Sequence, residues 1–337
     1  MKVIELPAFG LEKLRVAQRE IPKPAADEVL VKFGAASINS RDYQICTGAF
    51  SPDAPLPIIP CSDGAGELVE AGAQVTELSV GDKVAPLFFP EWQSGEAFGD
   101  VRSISSGLEA PGTLREYGVY KPHQVVKLAP HLSAEQGACF PCAGLTAWTC
   151  VSTLAGVGAG DDEWVLVQGT GGVAIFALQF ARALGARVIA TSGSDEKLKR
   201  AKSLGAEFGI NYHQTPDWGE KARELTGGRG VDCVVEIGGE GTLPQSVKAL
   251  RRGGHVGIVG YFTGIGLGLT VFDLIERNAQ LHGVSVGNRE GFEAMMSCVH
   301  EHALEPVVDR VYPFDEAPAA IAAIAEGGHF GKLVVHI

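Results

Sequence analysis

The stretch Val165-Leu166-Val167-Gln168-Gly169-Thr170-Gly171-Gly172-Val173-Ala174 decides the fold. A short apolar run ends in glycines and passes straight into an apolar-periodic segment, Val173 to Leu184, the pattern of a strand, a tight turn and a helix. Gly169 permits the turn, and Gly171 lets backbone approach a pyrophosphate with no Cβ in the way. The loop from Gly169 through Thr170, Gly171 and Gly172 to Val173 then offers helix-opening N–H groups to phosphate, aided by the helix dipole. Ala174 stands where a third glycine often sits, a position that needs only a small residue.

Working outward, strands alternate with helices after about residue 130: Val165–Gln168, Arg187–Thr191, Glu207–Asn211, Val231–Ile237, His255–Val259 and Gln280–Val286. This predicts an α/β fold, a Rossmann doubly wound parallel sheet of six strands with right-handed crossovers. Residues 1–125 read instead as mostly β, with short strands such as Val29–Phe33, Glu67–Val69 and Tyr117–Tyr120 between Pro, Gly and Asp turns. The expected organisation is residues 1–125 as one domain, completed by 288–337, and 126–287 as the nucleotide-binding domain. Gly331–Ile337 reads as a strand returning to the first domain. Phe88–Pro111 reads as a long irregular loop, in which Phe88, Phe89 and Trp92 form either a substrate lid or a hydrophobic anchor.

The 337 residues carry a net charge of −12 and no basic cluster beyond the short Lys197–Lys202 stretch, so nucleic acid and anionic membrane are poor partners. No apolar run reaches membrane-spanning length, and the N-terminus lacks the apolar core of a secretory signal. Seven cysteines scattered through the chain point to reduced thiols and a cytoplasmic protein.

Further landmarks follow in order: Ser37-Ile-Asn-Ser-Arg-Asp42, Pro60-Cys-Ser-Asp-Gly-Ala-Gly66, Val80-Gly-Asp-Lys-Val84, Cys142-Ala-Gly-Leu-Thr146, the glycine loop, and Gly331-Lys-Leu-Val334. As an ordered set along nearly the whole chain they resemble the medium-chain dehydrogenase/reductase superfamily, the alcohol dehydrogenase and quinone oxidoreductase relatives. The resemblance implies a GroES-like, mostly-β catalytic domain beside the nucleotide domain. It also implies a homodimer formed through the last nucleotide-domain strand, Gln280–Val286. Zinc-dependent members hold a catalytic metal with a Cys, the His of a Gly-His-Glu motif and a second Cys. The corresponding positions here are Asn39, Ser62 and Cys142, which leave one ligand where a catalytic zinc needs three. The structural-zinc loop is also without cysteine, so no zinc is expected.

NAD-specific folds place an acid at the end of the second strand, where it binds the ribose 2′-hydroxyl. The resemblance puts Ser192 at that position. Ser192 and Ser194 can donate hydrogen bonds to a 2′-phosphate, Lys197 can supply charge, and Tyr212 matches a position flanking the adenosine phosphate. NADPH is therefore the expected cofactor. Asp195 and Glu196 fit helix-opening residues favoured by the dipole. At the nicotinamide end the resemblance points to Thr146 and to Gly260, Tyr261 and Phe262.

Without a metal, an activated acceptor such as a quinone or an α,β-unsaturated carbonyl is easier to reduce than a simple ketone, because its charge delocalises. Asn39 and Asp42 resemble the Asn-x-x-Asp pattern of the zinc-free branch, and Tyr43 is a candidate donor to the developing enolate. Asp42 also suits a helix cap, and Tyr43 a cleft wall. Two other readings stand: an alcohol dehydrogenase or aldehyde reductase that keeps a metal through Cys142, and a non-catalytic NADPH-binding protein of crystallin or sensor type.

Overall fold

The computed structural model describes residues 1–337. The chain divides into two compact units, Met1–Leu145 with Gly287–Ile337, and Thr146–Val286. Fifteen strands run in chain order: β1 Lys2–Glu5, β2 Arg15–Gln18, β3 Val29–Ile38, β4 Asp63–Ala71, β5 Lys83–Pro86, β6 Tyr117–Tyr120, β7 Val125–Lys127, β8 Trp164–Gln168, β9 Arg187–Ser192, β10 Phe208–Asn211, β11 Val231–Glu236, β12 Leu250–Ile258, β13 Gln280–Gly283, β14 Val308–Tyr312 and β15 Lys332–His336.

The second unit is a six-stranded sheet in the order β10-β9-β8-β11-β12-β13 with every pairing parallel. Strands β8 and β11 are buried along their whole length. That is why they read as continuous apolar runs rather than as alternating ones. The order reverses between β9-β8 and β8-β11, the crevice where open α/β sheets bind ligands.

In the first unit, β14-β15-β3-β4-β5-β7 form one sheet, with β6 also pairing β3. Strand β15 lies antiparallel to β3, with Leu333 opposite Ile38. The C-terminal strand thus fills the place its sequence suggested. Residues 126–145, expected with the nucleotide-binding half, cluster with the first unit. Strand β7 pairs β5, and the short helix Ala134–Gly137 that follows packs so closely that a Cβ on Gly34 would stand 2.7 Å from that of Ala134. The Phe88–Pro111 segment contains no strand or helix. Phe88 and Phe89 are buried and stacked edge-on at 4.7 Å, with Arg41 over the Phe88 ring, so these aromatics anchor the loop.

Candidate active site and nucleotide-binding loop

Gly169 follows β8 with φ of 72°, the left-handed region that glycine adopts without cost, and its N–H bonds Thr191 O at 2.8 Å. The helix Gly172–Ala183 then opens from Gly171 with no side chain capping it. Its first-turn N–H groups, beside Thr170 and Val173, are therefore available to an anion.

Strand β9 ends at buried Ser192, whose Oγ accepts the Ser194 N–H at 3.2 Å. Ser194 caps the helix Asp195–Ser203 by accepting the Lys197 N–H at 3.3 Å, which gives it a structural task of its own. A Cβ on Gly193 would meet His213 Nε2 at 2.6 Å and the Tyr212 hydroxyl at 2.8 Å. Ser192, Tyr212 and His213 are thus brought to one spot, with Lys197 in the first turn beyond. His213 was not singled out from the sequence, and only the tight packing on Gly193 identifies it. Asp195 is held by Asn211 and Gln214, and the Asn211 hydrogen bond leads in keeping its carboxyl below the usual range.

The loops after β11 and β12 are laced together. Thr263 N–H donates to Gly238 O at 2.7 Å, Thr263 Oγ accepts the Gly241 N–H at 2.8 Å, and a Cβ on Gly260 would stand 2.3 Å from Ile237 O. Tyr261 and Phe262 are exposed, while Thr146 is buried near the start of this unit. Beneath the loops lies a residue the sequence reading missed. Glu236, fully buried at the end of β11, accepts from Gly238 N at 2.7 Å, Gly239 N at 3.0 Å, Thr242 Oγ at 2.6 Å and Gln168 Nε2 at 2.6 Å, and also from Ser246 Oγ. Gln168 Oε1 in turn accepts the N–H groups of Ile237 and Gly238. One carboxyl therefore ties the end of β8 to the loop after β11.

In the first unit Asn39, Asp42, Ser62, Asp63 and Lys332 form a second network. Asn39 precedes the helix Ser40–Cys46, and its N–H donates to Asp42 Oδ2 at 2.8 Å. The other Asp42 oxygen accepts the Ser62 N–H at 3.3 Å, so this fully buried carboxyl fixes both Asn39 and Ser62. Burial pushes Asp42 up from the ordinary carboxylate range, against those backbone bonds. Asn39 Nδ2 reaches Ser62 Oγ at 3.4 Å, Ser62 Oγ donates to Asp63 Oδ1 at 2.9 Å, and Asp63 Oδ2 accepts the Cys142 N–H at 3.2 Å. Lys332, from β15, inserts its ammonium to donate to Ile38 O at 2.8 Å and Asn39 Oδ1 at 2.6 Å. Tyr43 is half-buried, its ring packed on the core of Ile4, Leu6 and Ile38.

Burial pushes Asp63 up to about 6, opposed chiefly by the Lys332 charge. A carboxyl whose pKa rises on folding adds stability below its unfolded value, near 4, and loses that stability as pH rises through about 6. Asp63→Asn is therefore expected to cancel this part of the pH dependence. The melting-temperature difference between parent and variant should change by several degrees between pH 4 and pH 6.5; a difference constant over that range would contradict the assignment.

This donor set does not fit a catalytic zinc. Asn39, Ser62 and Cys142, which the sequence resemblance matches to the ligand positions, offer an amide, a hydroxyl and one thiol, and burial, reinforced by Asp63, raises the Cys142 thiol's pKa and so disfavours the thiolate. Nowhere are three or more His, Cys, Asp or Glu side chains grouped to hold a metal ion. The loop after β8, by contrast, fits a dinucleotide: a left-handed glycine, an uncapped helix N-terminus, and no acid at the end of β9.

Fold and loop together define a two-unit nucleotide-dependent oxidoreductase. The chain belongs to the medium-chain dehydrogenase/reductase superfamily. Residues 25–130 match the alcohol dehydrogenase GroES-like domain, and residues 172–301 match the zinc-binding dehydrogenase domain. A zinc-type alcohol dehydrogenase-like protein of Schizosaccharomyces pombe is 39% identical over 335 residues, which cover 97% of this chain and 96% of that protein. Among solved structures, a putative alcohol dehydrogenase of Sinorhizobium meliloti superposes with TM-score 0.93 at 35% identity, covering 100% of this chain and 98% of the other. An NAD-dependent alcohol dehydrogenase superposes with TM-score 0.90 at 33% identity over 100% of both chains. More distant matches carry both names, alcohol dehydrogenase and quinone oxidoreductase.

Proposed function

We infer that this chain is a zinc-independent, NADPH-dependent reductase that transfers hydride to a quinone or an α,β-unsaturated carbonyl. The observation that supports this reading is the hydrogen-bonded Asn39–Lys332–Ser62–Asp63 network, at positions that the sequence resemblance matches to the metal ligands of zinc-dependent relatives. When bound, the cofactor supplies the hydride. The chain supplies binding, orientation and electrostatics. With Oδ1 engaged by Lys332 and Nδ2 directed at Ser62 Oγ, Asn39 would turn its second Nδ2 hydrogen to an acceptor oxygen. Such a donor suffices where the acceptor delocalises its own developing charge. Tyr43 is the proposed proton source for the reduced acceptor. Gly169 to Val173 would hold the pyrophosphate. Ser192, Lys197 and Tyr212 would hold the 2′-phosphate, with Ser194 shaping the turn. Thr146 and Gly260 to Phe262 would flank the nicotinamide. The seven cysteines form no disulfide, which suits a reducing compartment such as the cytoplasm, and no helix is long and apolar enough to cross a membrane.

Steady-state oxidation of NADPH by a quinone and by an enone tests the reading. Turnover with neither, alongside zinc-dependent alcohol oxidation, would replace it with the alcohol dehydrogenase reading. NADPH binding with no turnover on any acceptor would leave a non-catalytic binder.

We propose a homodimer through the β13 edge. That strand pairs only β12, and the segment before it exposes Phe262, Ile265, Phe272 and Ile275, with Ile265 91% and Phe272 80% exposed. Monomers rarely leave such an edge and patch to solvent. The joint change Phe272→Glu and Ile275→Glu is expected to convert a dimeric mass in light scattering to a monomeric one. A monomeric parent would contradict the proposal.

A further inference from the structure

Gly193, in the turn after β9, does not take the left-handed φ that calls for glycine, so its missing side chain answers to space rather than to backbone. That space is filled from the loop after β10. A Cβ at this position would stand 2.6 Å from His213 Nε2 and 2.8 Å from both His213 Cδ2 and the Tyr212 hydroxyl. The two rings meet edge-on at 4.7 Å, and both residues are exposed. The loop that carries them is braced. Tyr212 N–H donates to Ser192 O at 3.3 Å and His213 N–H to Asn211 Oδ1 at 3.0 Å. The Asp195 carboxylate accepts from Asn211 Nδ2 at 2.8 Å and from Gln214 Nε2 at 3.0 Å. Asp195 thus turns both oxygens to this loop rather than offering them to a ribose hydroxyl. The His213 ring itself makes no hydrogen bond or ion pair within the chain.

We propose that His213 is a further specificity-determining residue for the nucleotide, its Nε2–H donating to a 2′-phosphate seated at Gly193. The inference rests on the NADPH reading above and adds to it a residue from a third element. A 2′-phosphate carries more than one negative charge near neutral pH and presents three acceptor oxygens, so donors converging from several directions hold it best. Ser192 comes from the end of β9, Lys197 from the first turn of the next helix, and His213 from the loop after β10. An imidazole donates from Nε2 as its Nε2–H tautomer or as imidazolium, so the role needs no charge on the ring. The uncharged 2′-hydroxyl of NADH gives the same donor a weaker partner. Gly193 is what lets the imidazole close on the turn.

The test is isothermal titration calorimetry of the full chain with 2′,5′-ADP and with 5′-AMP, which differ only in the 2′-phosphate. His213→Phe keeps a ring against Tyr212 and removes both nitrogens. It is expected to weaken 2′,5′-ADP about tenfold, the worth of a hydrogen bond to a charged group, and 5′-AMP by less than about twofold. His213→Glu adds like charge and should lose more. Gly193→Ala suits the backbone, but its methyl takes the place of the His213 and Tyr212 tips, so the same selective loss is expected. Thermal melts should stay at the parent value, since the His213 ring holds nothing in the fold. A loss under about threefold for 2′,5′-ADP in His213→Phe, an equal loss of both ligands, or parent-like binding by Gly193→Ala overturns the inference. Parent selectivity retained in the His213 variants would sink this inference alone and leave the 2′-phosphate to Ser192 and Lys197. A parent that binds the two ligands equally would bring down the NADPH reading as well.

Discussion

Changing Ser192 to Asp is expected to reverse the nucleotide preference, lowering kcat/KM with NADPH about 100-fold relative to NADH. Ser192 ends β9 in a buried position, with its Oγ beside the Ser194 N–H and the Gly193 backbone against Tyr212 and His213. A carboxylate there would accept from a ribose 2′-hydroxyl but repel a 2′-phosphate. The change replaces a hydrogen bond to a charged group, worth about 1.5–3 kcal/mol, with like-charge repulsion. Ser194→Ala serves as the contrast. Because Ser194 caps the following helix, its loss should cost about 1 kcal/mol of stability and move nucleotide selectivity little. Steady-state kinetics with both nucleotides on the two variants decides the matter. An unchanged preference in Ser192→Asp would mean that the 2′-phosphate is not read at the end of β9.

The largest loss of stability is expected from Glu236→Ala. The carboxyl accepts from two backbone N–H groups, two hydroxyls and the Gln168 amide with no exposure to solvent. Removing it leaves several buried donors without acceptors, each costing about 1–3 kcal/mol before relaxation. A net loss of about 4 kcal/mol would lower the melting temperature by roughly 10 °C or more. Because the loop of Gly238 and Gly239 loses its anchor, nicotinamide-nucleotide affinity should fall as well. Glu236→Gln retains one acceptor oxygen and should recover part of both losses. A melting temperature within about 2 °C of the parent for Glu236→Ala would show that the network holds nothing that water cannot replace.

How much of this was legible in the sequence varied with how local each signal is. The central strands β8, β9 and β11 could be read because their burial on both faces leaves nearly uninterrupted apolar runs. Strand β12 starts at Leu250 rather than His255 because Arg251, Arg252, Gly253 and Gly254 interrupt that pattern. Pairing of Leu250 with Val231 across a register shift holds its beginning in the sheet. Strand β13 stops at Gly283, short of the expected Val286, where φ of 63° has already turned the chain out of the extended region. Strand β3 runs on to Ile38 through Gly34-Ala35-Ala36-Ser37, which resembles a turn in isolation. Its pairing with β4 and β15 keeps it extended.

Of the candidate site, the glycine loop and the Asn39, Ser62 and Cys142 positions were legible because each sits in a short motif. Lys332 and Glu236 were not. Lys332 lies 293 residues from the Asn39 it bonds, and Glu236 gathers donors from three separate elements. Neither has a local spacing rule, since sheet topology alone brings those partners together. Asp42 shows the converse case. Its helix-capping pattern is visible in sequence, and its grip on both Asn39 and Ser62 appears only once β4 is placed.

The central claim is metal-free hydride transfer from NADPH to an activated acceptor. Its most direct test is NADPH oxidation by the purified protein with a quinone and an enone, with NADH in parallel and zinc quantified in the same sample. Turnover that prefers NADPH, persists after chelation and accompanies substoichiometric zinc is the predicted result. Stoichiometric zinc with chelator-sensitive alcohol oxidation would contradict it.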